Sequence, residues 1–202
     1  YAGWYPFTGL ASLDAVTISG HKLGAPKGVG ALLLPTGAAI EPLIHGGGQE
    51  RDRRSGTENV AGAVGLAVAL ELAEAEREAH PLAALEARRD AFIAQVLETV
   101  PGARLTGHAS RRLPCHASFV VPGIGGEPLL IALDDRGILA SSGSACAAGR
   151  DEPSPVLLAM GYDSDTARTA VRFSWGASTI QESLDTAAHE LAESAASLRG
   201  LG

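Results

Sequence analysis

Hydrophobic and polar positions in the first part of the chain predict a pair of short strands, a loop and a long helix. Ala15–Ser19 is rich in β-branched residues, and Val29–Leu34 is a second apolar run, ended by a proline and a glycine. Together they predict a hairpin-like or sheet-edge unit. Residues 45–57 have no apolar period and are predicted to form a loop. Residues 59–78 have helical spacing and are apolar all round in their first half, which we expect to lie buried between layers.

The pattern changes near His80, where we place a domain boundary. Pro81 suits the start of a second helix, which Pro101 and Gly102 end. The residues that recur at helical spacing within it are Leu82, Leu85, Arg89, Phe92, Val96 and Leu97.

Short β-like runs alternate with helical segments after this helix. The four runs are residues 104–106, 117–121, 137–140 and 170–174. Ser154 before Pro155 is typical of a helix N-terminus, and Gly161 closes that helix. Thr179 with Glu182 forms a capping-box pattern ahead of the last helix. Residues 81–202 are therefore predicted to form an α+β domain with a mixed or antiparallel sheet.

Composition and charge exclude several classes of protein. The chain has 202 residues, 46% of them apolar and 19% charged, which is typical of a globular protein rather than a disordered one. Its net charge of −7 is spread evenly, which argues against a nucleic-acid binder. The longest apolar run, Ala61–Leu70, is shorter than the roughly 18 residues of a membrane span. With two cysteines and no signal-peptide pattern, the sequence predicts a cytoplasmic protein with no metal site.

Lysine is scarce, since 14 of the 16 basic residues are arginine and the two lysines are Lys22 and Lys27. Lys22 follows a predicted strand and is surrounded by glycines, with Ser19 and His21 beside it as candidate anion donors. A lysine can lose its proton and form an imine, which an arginine cannot. Lys22 is therefore a candidate catalytic residue, although a solvated turn lysine is the alternative. Lys27 is taken as such a turn residue.

The segment HGGGQERDRRSGT, residues 45–57, has two interpretations. Its glycines and charges are compatible with a flexible surface loop. It also ends in a serine, a glycine and Thr57 immediately before a predicted helix, where hydroxyl and backbone N–H groups could hold an anion.

Cys146 lies among Ser, Gly and Ala residues with no bulky neighbour, so we expect it to be exposed rather than anchored in a core. An exposed thiol of this kind favours a nucleophile or a sulfur carrier. Cys115 and His116 precede a β-like run and are interpreted as structural. Arg172 lies on an alternating strand, where it either faces solvent or binds a substrate carboxylate with its guanidinium fork.

Four motifs occur together in a characteristic order: SGHKLGAPKGVGALLL, HGGGQERDRRSGT, SSGSACAAG followed by EPS, and AVRFSWG. In this order and spacing the sequence resembles the cysteine desulfurases, pyridoxal-phosphate enzymes of the class V aminotransferase group. The SSGSAC form is similar to the subgroup with a longer cysteine loop that supplies iron–sulfur cluster assembly. The resemblance implies an α/β fold: residues 1–80 would be the C-terminal part of the large cofactor-binding domain, ending in an inter-domain helix, and residues 81–202 the small α+β domain.

The resemblance also implies roles for individual residues. Lys22 would hold pyridoxal 5'-phosphate through an imine and then move protons, while Ser19 and His21 would contact the cofactor phosphate. Thr57 would reach the phosphate of the other subunit across a homodimer interface. Arg172 would bind the carboxylate of L-cysteine. Cys146 would accept the sulfur as a persulfide and pass it to an iron–sulfur scaffold or another acceptor protein.

Two alternatives to a cysteine desulfurase stay open at this point: a selenocysteine lyase or other class V relative, and a non-catalytic fragment that serves as a dimerisation or scaffold partner. The resemblance places an aspartate, which pairs with the cofactor ring nitrogen, before Tyr1. We therefore expect that this chain by itself cannot complete the chemistry.

Overall fold

The chain divides into two compact units, Tyr1–Ala79 and His80–Gly202. The structure is a computed structural model that describes residues 12–142 and 152–200. Cys146 therefore lies outside the described residues.

The first unit is built on two paired strands and one long helix. Strand β1 (Val16–Ser19) leads into a 3-10 helix (Gly20–Leu23) and pairs antiparallel with β2 (Gly30–Leu33). This arrangement confirms the predicted hairpin-like unit. The strands approach so closely that a Cβ on Gly30 would lie 2.5 Å from the Ile18 carbonyl oxygen. Because glycine has no Cβ, it is the residue that fits there without a clash.

A four-residue turn, α1 (Gln49–Asp52), interrupts the predicted loop, and helix α2 (Val60–Ala79) follows it. Helix α2 buries Leu66 and Ala69 in a small core with residues of β1 and the 3-10 helix. The expectation that its first half is buried all round is wrong, because Val60 and Val64 are 68% and 59% exposed. Within the described residues of this unit, only the side of α2 that carries Leu66 and Ala69 packs against the two strands, so the apolar composition of its first half does not produce burial on all sides.

The second unit is an antiparallel sheet with helices packed on it. The three strands lie in the order β3-β4-β5. The helices and strands, in chain order, are α3 (Leu82–Thr99), β3 (Arg104–Leu105), β4 (His116–Val120), α4 (Gly126–Asp134), α5 (Pro155–Ala159), α6 (Ser164–Arg168), β5 (Ala170–Ser174) and α7 (Gln181–Gly200). The predicted antiparallel option for the sheet is confirmed.

The core of this unit lies between the sheet and helices α3, α4 and α7. Phe92 of α3 is fully buried at its centre, with ring centroids 5.3 Å from Phe173 and 6.0 Å from Phe119, both in edge-to-face geometry. Because strand residues alternate between faces, this packing leaves His116, Ser118 and Arg172 on the opposite side of the sheet.

The predicted β-run at residues 137–140 is wrong. Gly137 has a φ of 76° and terminates α4, and the Ile138 N–H donates to the Leu133 carbonyl at 2.9 Å. These contacts close the C-terminus of the helix, so the backbone is not available for strand pairing. In the described stretch 137–142, Ser141 forms an isolated bridge to the sheet, opposite Arg172.

None of the helices in residues 12–142 and 152–200 combines the length and the hydrophobicity that a bilayer crossing requires.

Candidate active site

Lys22 opens onto a pocket of about 670 Å³ at the end of strand β1. The lining residues are Thr17, Ile18, Ser19, His21, Lys22, Gly28, Val29 and Gly30. Three of the residues predicted from the sequence, Ser19, His21 and Lys22, are thus brought together. The Ser19 hydroxyl lies 3.1 Å from Nδ1 of His21, so the two side chains orient each other.

The tight turn that presents Lys22 depends on local backbone bonds and on glycine. The Gly20 N–H donates to the Val29 carbonyl at 2.9 Å, and the Ala25 N–H donates to the Gly20 carbonyl at 3.1 Å. A Cβ at Gly20 would lie 2.8 Å from the Val29 carbonyl oxygen. Gly24 ends the 3-10 helix with a φ of 85°, a conformation that L side chains rarely adopt. Lys22 therefore occupies a defined position rather than a variable surface turn.

The pocket fits a small phosphate-bearing aldehyde. Its volume is in the range of ordinary cofactor sites, which is about 300–1,000 Å³. It offers an exposed lysine amine for the carbonyl carbon and a hydroxyl and an imidazole for an anionic group. No ion pair involves Lys22 within the described part of the chain, and Lys27 does not line the pocket.

Thr57 is exposed and does not line the pocket of Lys22. It follows Ser55, which is buried, and Gly56, which has a φ of 113°. The described residues of the first unit therefore place Thr57 apart from Ser19, His21 and Lys22.

Arg172 lies in the second unit and lines a separate pocket of about 350 Å³ on the exposed face of the sheet. Ser141 orients it in two ways. The backbones of the two residues form a reciprocal pair of hydrogen bonds at 2.7 and 3.0 Å, and Nη2 of Arg172 donates to Oγ of Ser141 at 3.2 Å. Arg172 is partly buried and lines this pocket, and the planar fork of a guanidinium suits a carboxylate.

Two described residues, Ser141 and Ser154, accompany Arg172 in this region. Ser141 is bonded to Arg172, and Ser154 lines the same pocket and is buried.

His116, interpreted from the sequence as structural, lies on the same face of the sheet as Arg172. It lines the Arg172 pocket, and its Nδ1 lies 3.4 Å from Oγ of Ser174. Burial, with a further effect from the positive charges of Arg172 and Arg112, lowers the pKa of His116 below its ordinary value of 6.5. Strand alternation in the sequence could have indicated this position. His116 and Ser118 are two residues apart on one strand and therefore lie on one face of the sheet, as Arg172 does on the neighbouring strand. Cys115, next to it, is buried.

We expect the pH dependence of stability to report on His116. Because its pKa is lower in the folded protein than in the unfolded chain, protonation favours the unfolded chain. The free energy of unfolding should therefore fall as the pH drops below about 6.5, and His116→Gln should lack this part of the decrease. The measurement is urea denaturation of both proteins between about pH 8 and pH 5. A stability difference between the two proteins that stays constant over that range would contradict the prediction.

The sequence model of the aminotransferase class-V family matches residues 10–186. The chain belongs to the class-V aminotransferase family. Members of this family are pyridoxal phosphate enzymes, and the resemblance found in the sequence is confirmed.

Among the class-V relatives, the chain is 44% identical over 180 residues to the IscS-like cysteine desulfurase of Mycobacterium tuberculosis, covering 89% of this chain and 46% of that protein. It is 44% identical over 191 residues to the cysteine desulfurase NifS of Azotobacter vinelandii, covering 95% of this chain and 47% of that protein. The chain thus spans about half the length of these relatives.

Solved structures show the same class-V fold. A NifS-like protein superposes with a TM-score of 0.80 at 34% identity, covering 96% of this chain and 49% of that chain. The NifS-like protein of Rickettsia africae superposes with a TM-score of 0.81 at 28% identity, covering 95% of this chain and 50% of that chain.

Proposed function

We propose that the protein containing this chain is a pyridoxal-phosphate-dependent cysteine desulfurase that converts L-cysteine into L-alanine and retains the sulfur as a persulfide. The observation that carries the proposal is the pocket at the end of β1, which combines the Lys22 amine with the Ser19 hydroxyl and the His21 imidazole. The similarity to enzymes named cysteine desulfurases supports it. The alternatives of a selenocysteine lyase and a non-catalytic scaffold are not favoured.

In this proposal Lys22, Ser19 and His21 hold pyridoxal 5'-phosphate, with Lys22 at its aldehyde and the other two at its phosphate. When bound, the cofactor supplies an electron sink for bond cleavage at the amino acid. Thr57, which does not line the pocket of its own chain, contacts the phosphate in the other subunit of a homodimer.

Lys22 then acts as a base and an acid through its Nζ. An amine can give up its proton near neutral pH when it is desolvated, and it can return that proton later, whereas a guanidinium stays charged. Arg172 binds the carboxylate of L-cysteine with the guanidinium donors that Ser141 does not occupy. This contact orients the substrate, which lowers the entropy cost of the reaction.

Cys146 takes the sulfur in the last step. Its thiolate attacks the sulfur of L-cysteine, a sulfur–sulfur bond forms, and the carbon–sulfur bond of the substrate breaks with its electron pair left on carbon. A proton then completes L-alanine, and the enzyme keeps the persulfide. We propose that an iron–sulfur scaffold or another acceptor protein receives this sulfur, and that the enzyme works in the cytoplasm.

Turnover of L-cysteine by the full-length gene product tests the proposal. L-alanine formation is expected, and Arg172→Leu should raise KM for L-cysteine roughly 10- to 100-fold with a smaller change in kcat, because it removes a charge-assisted hydrogen bond to the carboxylate. Arg136→Leu is the matched control, since Arg136 forms a partly exposed ion pair with Glu190 outside the pocket.

The outcomes separate the candidate functions. No alanine from the cofactor-loaded protein would exclude a desulfurase and favour the scaffold. A kcat/KM that is far higher for L-selenocysteine than for L-cysteine would favour a selenocysteine lyase. An unchanged KM in Arg172→Leu would remove Arg172 from the substrate site.

A further inference from the structure

The glycine-rich loop, residues 45–57, is cross-linked by its own side chains. The Ser55 N–H donates to the Ile44 carbonyl at 3.1 Å, and Oγ of Ser55 accepts from the Gly48 N–H at 3.3 Å. Oε1 of Gln49 accepts from the Gly56 N–H at 2.8 Å. The interpretation as a flexible surface loop therefore does not describe this segment.

The backbone between these bonds is held in an unusual conformation. Glu50, Arg51 and Asp52 have φ values of 51°, 58° and 64°, in the left-handed region that non-glycine residues seldom occupy. The Asp52 N–H donates to the Gly48 carbonyl at 3.2 Å and closes the turn. Three successive left-handed residues persist only when surrounding contacts determine them. The bonds of Gln49 and Ser55, on either side of the turn, are such contacts.

The glycines make room for the Gln49 side chain. A Cβ on Gly47 would lie 2.7 Å from Nε2 of Gln49, so a larger residue there would displace the amide. Gln49 can therefore lie across the loop and reach the backbone seven residues further along the chain. Its acceptor oxygen holds the peptide N–H of Gly56, the residue directly before Thr57.

We propose that Gln49 is a positioning residue that sets the direction of Thr57 toward the cofactor phosphate. This inference rests on the proposed function, in which Thr57 contacts that phosphate in the other subunit. Gly56 has a φ of 113°, and a glycine can adopt backbone conformations that other residues cannot. The hydrogen bond from its N–H to Gln49 holds it in one of these conformations. Without that bond, the Thr57 hydroxyl loses its fixed direction.

The test measures the dissociation constant of pyridoxal 5'-phosphate for the full-length apoprotein, by absorbance titration. Gln49→Leu keeps a side chain of similar size but removes its hydrogen-bond acceptor. The dissociation constant of the cofactor should rise roughly 10-fold, which is the loss of affinity expected when one positioned hydrogen bond to a charged group is lost. Gln49→Glu keeps an acceptor oxygen and should restore most of the affinity. Gln95→Leu, the same change on α3 in the second unit, is the control and should leave the affinity unchanged.

A double-variant cycle distinguishes positioning from general loosening of the fold. In a Thr57→Val background, Gln49→Leu should cause no further loss of affinity, because the group that it positions is gone. Equal losses in both backgrounds, or a Gln49→Glu protein as weak as Gln49→Leu, would overturn the inference. The melting temperature of each apoprotein shows whether Gln49→Leu has destabilised the protein. If it has, the cofactor affinity of the Gln49→Glu protein decides whether the acceptor oxygen is what positions Thr57.

The same data separate this inference from the proposed function. If the wild-type protein does not bind the cofactor, the proposed function fails. If it binds the cofactor and Thr57→Val has no effect, the Thr57 contact and the role of Gln49 fail, while the desulfurase proposal stands on L-cysteine turnover.

Discussion

Replacing Lys22 with alanine is expected to abolish L-cysteine turnover in the full-length protein, by at least about 10³-fold, because in the proposed mechanism one amine serves both covalent attachment and proton transfer. The absorbance band of the covalently attached cofactor should disappear as well. Lys22→Arg should be equally inactive, since it keeps the positive charge but cannot lose its proton near neutral pH. Steady-state alanine formation and an absorption spectrum of the purified protein are the two measurements.

Lys27→Ala is the matched control for this experiment. Lys27 lies five residues further along the chain and does not line the pocket of Lys22. This variant should keep both the absorbance band and the turnover. A Lys22→Ala protein that retains the band, or more than about a tenth of the turnover, would show that another group carries the chemistry.

Replacing Cys146 with serine is expected to eliminate the persulfide while leaving cofactor binding intact. A hydroxyl is far less readily ionised than a thiol and does not accept sulfur from L-cysteine. Physiological turnover should fall by at least about 10²-fold, and an added small thiol should partly restore alanine formation by taking the sulfur directly. Intact-mass analysis after exposure to L-cysteine should find one extra sulfur atom on the wild-type protein and none on the variant.

Cys115→Ala is the control for the thiol assignment. Cys115 is buried, so it has little access to a substrate, and its replacement should leave the persulfide on the protein. Persulfide found on the Cys146→Ser protein, or lost from the Cys115→Ala protein, would contradict the assignment of the sulfur carrier to Cys146.

Strands and helices with strong local patterns were predicted well. The run at residues 170–174 became strand β5 with the same bounds, because its alternation places Val171 and Phe173 in the core and Arg172 on the other face. The helical spacing of Leu85, Phe92 and Val96 likewise matches the buried side of α3. In both cases the same residues that produce the periodicity also form the core.

The errors arose where contacts made with residues outside a run overrode the pattern within it. The β-like run at residues 137–140 follows the end of α4 so closely that its first peptide groups cap the helix instead of joining the sheet. The first half of α2 is apolar all round, but within the described residues of the first unit one side of the helix packs against the strands. Left-handed conformations at Glu50, Arg51 and Asp52 have no sequence signal, because they depend on hydrogen bonds that the side chains of Gln49 and Ser55 accept from backbone N–H groups of the loop.

The sequence by itself determined the family, the candidate lysine, arginine and cysteine, and the positions of the glycines that the tight turns require. These features are local, since each depends on residue type and spacing within one short segment. Only the tertiary structure decided that Ser19 and His21 orient each other beside Lys22, that Ser141 and His116 accompany Arg172, and that Gln49 secures the peptide before Thr57. Side-chain hydrogen bonds within each turn produce the first and the last of these arrangements, and strand register produces the one around Arg172. Residue type and spacing alone specify neither kind of contact.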